Sequence, residues 1–482
     1  MKNQVTDNKK SDLRKLSSYI NYIVLLKYIP LCVFFSLPFT HPHIHRQSDT
    51  MGVTIRYFFK IFSPTEGSQF FHHKFLPAIL QSGDLQGIMP MEFPLLNLIL
   101  SPFFIIFDNH FWGMYLSRFA LFFLSVFIWR QIYLKLKEKE FLGVPVGLSL
   151  KVMLIATLLA QYLVKFIPDV FSFLLCLWGF AFLLGEKKIN KKLFLKSNLL
   201  ITLGLLIKPT SIIVFVPLLV PVTLKKIILY SKVFFLPIAM TLVYYLKGSS
   251  YLLSLSDFEP LFKTKFRSPV RNLVTFFEDF SSFIEFFSQN LFFPFCLLFF
   301  VGFYGLFQKR LDKSKIKSLL TLFSILLFQI FFIILIDGSH ALRHHYYFLG
   351  TSFIAAIILT FLIQHSSNMF SYVILGSLFI WGLEKNIYSL KPLFKQNHWK
   401  ECSTLIESHP SIFSFKKQKI FSNFEEKYPH LGLCFGIRSN ALKSEYFLSK
   451  KVETLPPECE TIDQTEQLVI SKCPNLKLEY GN

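Results

Sequence analysis

Hydrophobic runs fill most of the first 385 residues, and short polar breaks separate them. Apolar stretches lie near 19–39, 93–107, 112–134, 142–167, 170–185, 193–207, 211–224, 227–246, 291–307, 318–336, 347–363 and 369–383. A bilayer core calls for about 20 apolar residues per helix, and most of these stretches approach or exceed that length. The pattern predicts an all-α polytopic membrane protein, a bundle of about 11–13 transmembrane helices. Two breaks are long, at 40–92 and 247–290. Within the second, Asn272 to Asn290 is amphipathic and rich in Phe, as a helix lying in the membrane interface would be. Hydrophobicity ends near Glu384. Residues 1–388 are thus expected to form the transmembrane domain and 389–482 a small extracytoplasmic one.

Composition agrees with that class. Hydrophobic residues make up 52% of the chain, 60 residues are Phe, charged residues are only 17%, and the mean hydropathy is +0.45. A soluble chain of this length has no way to hide so much apolar surface. The net charge of +21 would suit a nucleic-acid partner, but its placement argues otherwise. Much of the Lys and Arg falls in short clusters between apolar runs, at Lys187–Lys192, Lys225–Lys226 and Lys309–Lys317. That is the signature of cytoplasmic loops, so the charge reports topology and no nucleic acid is implied. Counting crossings from these loops puts the first long loop, Asp169, residues 337–346 and the tail on the extracytoplasmic side. The parity works only if one of the stretches 93–107, 112–134 and 142–167 is short, broken or re-entrant, and 93–107 is the shortest. The polar, basic first sixteen residues followed by the apolar run to Phe39 read as an uncleaved signal anchor.

Of seven cysteines, Cys32, Cys176 and Cys296 sit in apolar runs and read as packing residues. Cys402, Cys434, Cys459 and Cys473 fall in the polar tail, where they can form two disulfides in any of three pairings. Their spacing fits no zinc-ligand pattern.

On this topology the ionisable groups at membrane boundaries collect on one side. The first loop contributes His45, Arg46, Gln47 and Asp49 at its start and Glu92 at its end. Asp169 follows Pro168, and a later loop carries Asp337, His340, Arg343, His344, His345 and Tyr346. Such groups are costly near a bilayer and tend to mark function. Each alone has an ordinary reading, as a surface histidine, a helix-terminal charge or a headgroup contact. Together they point to a site at the extracytoplasmic face.

The ordered motifs resemble a known family. His45-Arg46-Gln47-Ser48-Asp49-Thr50, followed by Glu92-Phe93-Pro94-Leu95, is similar to the first extracytoplasmic loop of membrane glycosyltransferases with the GT-C fold. The resemblance is greatest to family 39, the branch of the protein O-mannosyltransferases and the lipid A aminoarabinose transferase. Pro168-Asp169, Lys208-Pro209-Thr210 and Arg343-His344-His345-Tyr346-Tyr347 match later elements, over roughly residues 15–385. One departure is that the first loop has a lone Asp49 where some relatives carry an acidic pair.

The resemblance implies an enzyme that transfers a sugar, with inversion, from a polyprenyl-phosphate donor to an acceptor hydroxyl on a protein, a lipid or an envelope glycan. A hydroxyl needs a carboxylate to take its proton, a role that falls to Asp49, with Glu92 and Asp169 as the further acidic candidates. The lipid phosphate leaves as an anion and needs cations, which His45, Arg46, Lys208, Arg343, His344 and His345 would supply, with Gln47 and Tyr346 beside them. The same chemistry leaves room for a divalent metal, with Glu92 as candidate ligand. Two other classes fit part of the pattern, a transporter or flippase of a lipid-linked or anionic substrate and an envelope polysaccharide polymerase or ligase. Against transport stand the long first loop, the one-sided polar groups and the absence of internal repeats.

Overall fold

The computed structural model describes residues 17–26, 28, 50, 54, 93, 95–104, 110–157, 159, 162–163, 165, 167–186, 190–220, 224–248, 269–281, 312–338, 341, 345–366, 368–395, 404–405, 408–409, 420–422, 446–450, 459–465 and 468–473. Among them the chain is mostly helical. The α-helices are α1 (Ser17–Leu26), α2 (Leu95–Leu100), α3 (His110–Leu136), α4 (Val146–Ala156), α5 (Pro168–Leu183) and α6 (Lys191–Ile207). They continue with α7 (Leu224–Leu242), α8 (Pro269–Glu278), α9 (Lys313–Asp337), α10 (Ser352–His365) and α11 (Asn368–Lys395). Two 3₁₀ segments, Pro209–Leu219 and His345–Thr351, precede α7 and α10.

Among the described residues, four segments are long and apolar enough to cross a membrane, at Tyr115–Leu136, Ile228–Leu246, Lys313–Ile336 and His345–His365. Five shorter apolar helices accompany them, among them Pro168–Leu183 and Pro209–Leu219. Two of the stretches that enter the expected 11–13 spans are broken where they are described. Between 95 and 104 the chain makes a six-residue helix and one 3₁₀ turn rather than a span. The stretch 142–167 is interrupted as well. Its start goes into a tight hairpin between β1 (Glu140–Phe141) and β2 (Val144–Pro145), with Leu142 and Gly143 both at positive φ. Helix α4, directly after the hairpin, has 11 residues, a rise of about 16 Å against the roughly 30 Å of a hydrocarbon core. The apolar stretch 291–307 lies outside the described residues.

Helices α5 and α6 form an antiparallel pair at the centre. Pro168 opens α5 at a position where its missing N–H costs nothing. Asn190 caps α6, its side-chain oxygen accepting from the Leu193 N–H at 2.9 Å. Gly204 lets the two backbones approach closely, since a Cβ there would stand 2.5 Å from the Cys176 sulfur of α5. Cys176 is accordingly fully buried, the packing role expected of it. Helix α6 stops at Lys208, which is extended (φ −148°, ψ 106°), because the residue before a proline is driven out of the helical region.

The connections define two ends of the bundle. Lys139, after the end of α3, pairs with Glu186, after the end of α5, at 3.1 Å. The start of α6, with Lys191 and Lys192, comes directly after at that end. At the other end the start of α5 meets the end of α6 through Asp169 and Lys208. The end of α7 comes there too, Tyr245 donating its hydroxyl to the carbonyls of Leu206 and Ile207 at 3.0 and 3.2 Å. So does the 3₁₀ segment that begins at His345, through Tyr347. Helices α7 and α9 therefore begin, with Lys225–Lys226 and Lys313–Lys317, at the end away from Asp169. Among the described residues, the helix starts that carry Lys191–Lys192, Lys225–Lys226 and Lys313–Lys317 lie at one end, and Asp169, Lys208, Tyr346 and Tyr347 at the other.

In the tail, β3 (Ile420–Ser422), β4 (Tyr446–Lys450), β5 (Glu460–Gln464) and β6 (Leu468–Lys472) form one sheet in the order β3-β4-β6-β5. Strand β3 runs parallel to β4, and the other pairs are antiparallel. Cys459 and Cys473 are disulfide-bonded at the open end of the β5–β6 hairpin, 14 residues apart. Cys402 and Cys434 lie outside the described residues, as do Cys32 and Cys296.

Candidate functional site

Asp169 and Lys208 are the kernel of the polar end. Asp169 occupies the first turn of α5, where the helix dipole favours a negative charge, and is only 3% exposed. The Lys208 ammonium stands 3.5 Å from its Oδ1. Lys208 reaches it because α6 has just ended, so its side chain leaves an extended backbone rather than a helix surface. The same helix that presents Asp169 also holds that backbone. One turn on, the Ser172 hydroxyl donates to the Gly204 carbonyl at 2.7 Å and lies 3.4 Å from the Lys208 carbonyl and 2.7 Å from the Ser211 hydroxyl.

Tyrosines complete the surroundings of the ammonium. Lys208 Nζ is 4.5 Å from the centre of the Tyr347 ring and donates to the Tyr347 hydroxyl at 3.4 Å, with the Tyr346 ring at 5.9 Å. Ring faces attract cations most where water is excluded, as it is around this buried lysine. Tyr346 stacks on Tyr347 with centroids 5.1 Å apart and meets Tyr162 edge-on at 6.5 Å. A second lysine closes the row, for Lys165, 1% exposed, places its ammonium 4.9 Å from the centre of Tyr162. Two buried ammonium groups thus flank one tyrosine stack.

Both ends of the long first loop are tied to this end of the bundle. Phe93, the residue after Glu92, donates its N–H to the Leu206 carbonyl at 3.3 Å, two residues before Lys208, and its ring packs edge-on against Tyr244. One turn further, Asn97 on α2 donates to the carbonyl of Thr50 at 2.9 Å and to the Thr54 hydroxyl at 3.0 Å. Thr50 is the residue after Asp49, and both threonines are buried. Thr50, Phe93, Asp169 and Lys208, one residue from each of four motifs, therefore belong to this end. Tyr346 and Tyr347 bring in the fifth.

Of the residues singled out in the sequence, Asp169, Lys208, His345 and Tyr346 stand at this end, with His345 half-buried at the start of its 3₁₀ segment. His45, Arg46, Gln47, Asp49, Glu92, Arg343 and His344 lie outside the described residues. Sequence reasoning missed Tyr162, Lys165 and Arg118, and it reached Tyr347 only as the last residue of a motif. Lys165 and Arg118 carried a signal, being cations inside apolar runs. Arg118 is 2% exposed on α3, one residue from Ser117, whose hydroxyl donates to the Leu100 carbonyl of α2 at 3.4 Å. It thus lies close to the foot of the first loop.

The donor set can be tested against a divalent ion. No group of three His, Cys, Asp or Glu side chains that could hold one occurs among the described residues. Asp169 faces an ammonium instead, and an oxygen so engaged is poorly disposed to coordinate a cation.

The arrangement can hold an anion. An ammonium donates in three directions, and that of Lys208 is aimed by Asp169 on one side and Tyr347 on another. Asp169 offsets the charge of Lys208, so what the pair offers a phosphate is an aimed N–H donor rather than a net positive charge. Compared with protein-family models, curated proteins and solved structures, the chain matches none of them.

Proposed function

We propose that the chain is a membrane glycosyltransferase of the GT-C type. It moves a sugar from a polyprenyl-phosphate donor to an acceptor hydroxyl at the extracytoplasmic face of the cell membrane. The observation that carries the reading is the joining of the motif flanks at one end of the bundle. Through Asn97 and Leu206 the two ends of the first loop are held close to the Asp169–Lys208 pair.

Each residue takes the role that its chemistry fits. Lys208 receives the lipid phosphate and stabilises the charge it carries on leaving. Asp169 is a positioning residue, since a buried carboxylate already facing an ammonium aims that cation and is not available as a base. The proton of the acceptor hydroxyl then goes to Asp49, one residue from the anchored Thr50. Arg46, Arg343 and the histidines His45, His344 and His345 add charge around the phosphate. The prenyl chain takes the apolar surface between helices, and the inverted glycoside leaves with the acceptor.

Mass spectrometry of the lipids retained by the purified protein, together with transfer assays on synthetic polyprenyl-phosphate sugars in proteoliposomes, tests the proposal. The expected result is a prenyl-phosphate lipid in the wild type and sugar transfer to an envelope extract. Asp49→Asn removes only the proton-accepting oxygen, so donor binding stays and turnover falls about 100-fold or more. Wild-type transfer by Asp49→Asn moves the base elsewhere. Passage of the lipid across the bilayer with no transfer at all replaces the reading with transport.

A further inference from the structure

Helix α8 has three faces with different chemistry. Its inner face docks on the end of α9, where the last carbonyls of a helix lack intrahelical partners. Asn272, 1% exposed, donates its amide to the carbonyls of Leu335 and Ile336 at 2.9 and 2.7 Å, and Phe276 is buried beside it. The contact continues at Gly338, the cap of α9 at φ +57°, where a Cβ would stand 2.8 Å from the Thr275 hydroxyl. The outer face is apolar and uncovered. Val270 is 71% exposed, Val274 49% and Phe277 66%, spaced four and three residues apart so that they form one stripe. At the edge of that stripe lie Arg271 and Glu278, and Lys263, Lys265 and Arg267 precede the helix in the sequence.

The depth of this stripe is set by what α8 is attached to. Lys313–Ile336 is long and apolar enough to cross a membrane, and its exposed Leu327, Phe328, Phe331 and Ile336 continue an apolar surface up to the residues that Asn272 caps. A helix fastened to the end of a membrane span stands at the boundary between hydrocarbon and headgroups. An uncovered apolar stripe there meets acyl chains, and basic residues beside it meet lipid phosphates.

We propose that α8 docks the protein on an anionic leaflet surface, with Val270, Val274 and Phe277 among the upper acyl carbons and Arg271 at the headgroups. Because its inner face grips Gly338, this docking also fixes the turn from which the chain departs toward Arg343, His344 and His345. Docking of this kind is separate from glycosyl transfer, and no transfer readout enters its test.

The full chain, with its reactive native thiols replaced, is labelled at Phe277→Cys with an environment-sensitive fluorophore and reconstituted in phosphatidylcholine vesicles with or without phosphatidylglycerol. Val270→Cys serves as a second reporter on the same stripe. Brominated lipids carrying the halogen high on the chain are expected to quench both probes and to shift emission to the blue. Phosphatidylglycerol should deepen the quenching, and Arg271→Gln should abolish that increase. Water-like, unquenched emission overturns the docking, and quenching indifferent to phosphatidylglycerol overturns its anionic preference.

Discussion

Lys208 owes its position to the residue that comes after it. Pro209 ends α6 one residue early, and the freed side chain reaches the carboxylate on the neighbouring helix instead of the lipid-facing surface. A buried ion pair of this sort is worth little against an apolar replacement of both partners, yet removing one partner strands the other, at a cost of about 3–5 kcal/mol. Lys208→Ala is therefore expected to lower the thermal unfolding temperature of detergent-purified protein well below that of the double variant Asp169→Asn/Lys208→Met. Equal destabilisation by the two would mean that the pair carries no coupling. Both variants should lose affinity for a prenyl phosphate, because both lack the cation. Lys208→Arg is no safe substitute, since a planar guanidinium does not fit a site shaped around the ammonium of a lysine that is 9% exposed. The role of this lysine was legible in the Lys208-Pro209-Thr210 motif, because a charge and a proline between two apolar runs are poor packing residues. Lys165 was harder to see. It lies three residues before Pro168, in a run whose hydropathy hides a single ammonium, and only the fold shows it beside Tyr162.

At the level of elements, the polar end depends on how closely α5 and α6 approach. Gly204 sits against Cys176 and the Ser172 carbonyl, and Ser172 in turn secures the Lys208 backbone. Gly204→Val would push the helices apart, and overpacking of this kind costs about 1–3 kcal/mol. The displacement should also loosen the Asp169–Lys208 contact, so donor affinity falls together with the unfolding temperature. Gly204→Ala combined with Cys176→Ala, which removes the sulfur that the new methyl would meet, should recover much of both. Failure of that rescue would show that something other than the close approach is at stake. Hydrophobic pattern alone made these helices foreseeable, since long apolar runs bounded by Lys or Pro have few other outcomes. It did not show that Pro209–Leu219 and His345–Thr351 are 3₁₀ segments. Hydropathy carries no information on the hydrogen-bond pitch inside a buried run. Crossing parity required one of 93–107, 112–134 and 142–167 to be short or broken; the first is a short helix and a 3₁₀ turn where described, and a hairpin cuts into the third as well, which parity did not show. In the tail four cysteines suggested bridging, but the pairing of Cys459 with Cys473 needed the β5–β6 register.

Among the described residues, the helix-start lysines and the polar cluster stand at opposite ends. Basic residues at Lys139, Lys191–Lys192, Lys225–Lys226 and Lys313–Lys317 mark one end, while Asp169, Lys208, Tyr346 and Tyr347 mark the other. Positively charged loops are retained on the cytoplasmic side, so the segregation favours an exterior location for the polar end. A membrane-impermeant thiol reagent applied to intact cells, in a background whose reactive native thiols are replaced, turns this into a measurement. Gly248→Cys lies three residues past Tyr245, whose hydroxyl touches the end of α6 beside Lys208, so it should be modified from outside. Lys192→Cys and Asp312→Cys stand at the starts of α6 and α9, at the opposite end, and should react only after the membrane is permeabilised. The reverse pattern would put the Asp169–Lys208 pair in the cytoplasm and remove an extracytoplasmic glycosyl transfer with it. Labelling of Asp312→Cys from outside together with Gly248→Cys would separate α9 from α6, contrary to the shared end that Tyr347 and Asn272 define. Modification of Gly248→Cys alone would leave the donor site facing the leaflet to which α8 is proposed to bind.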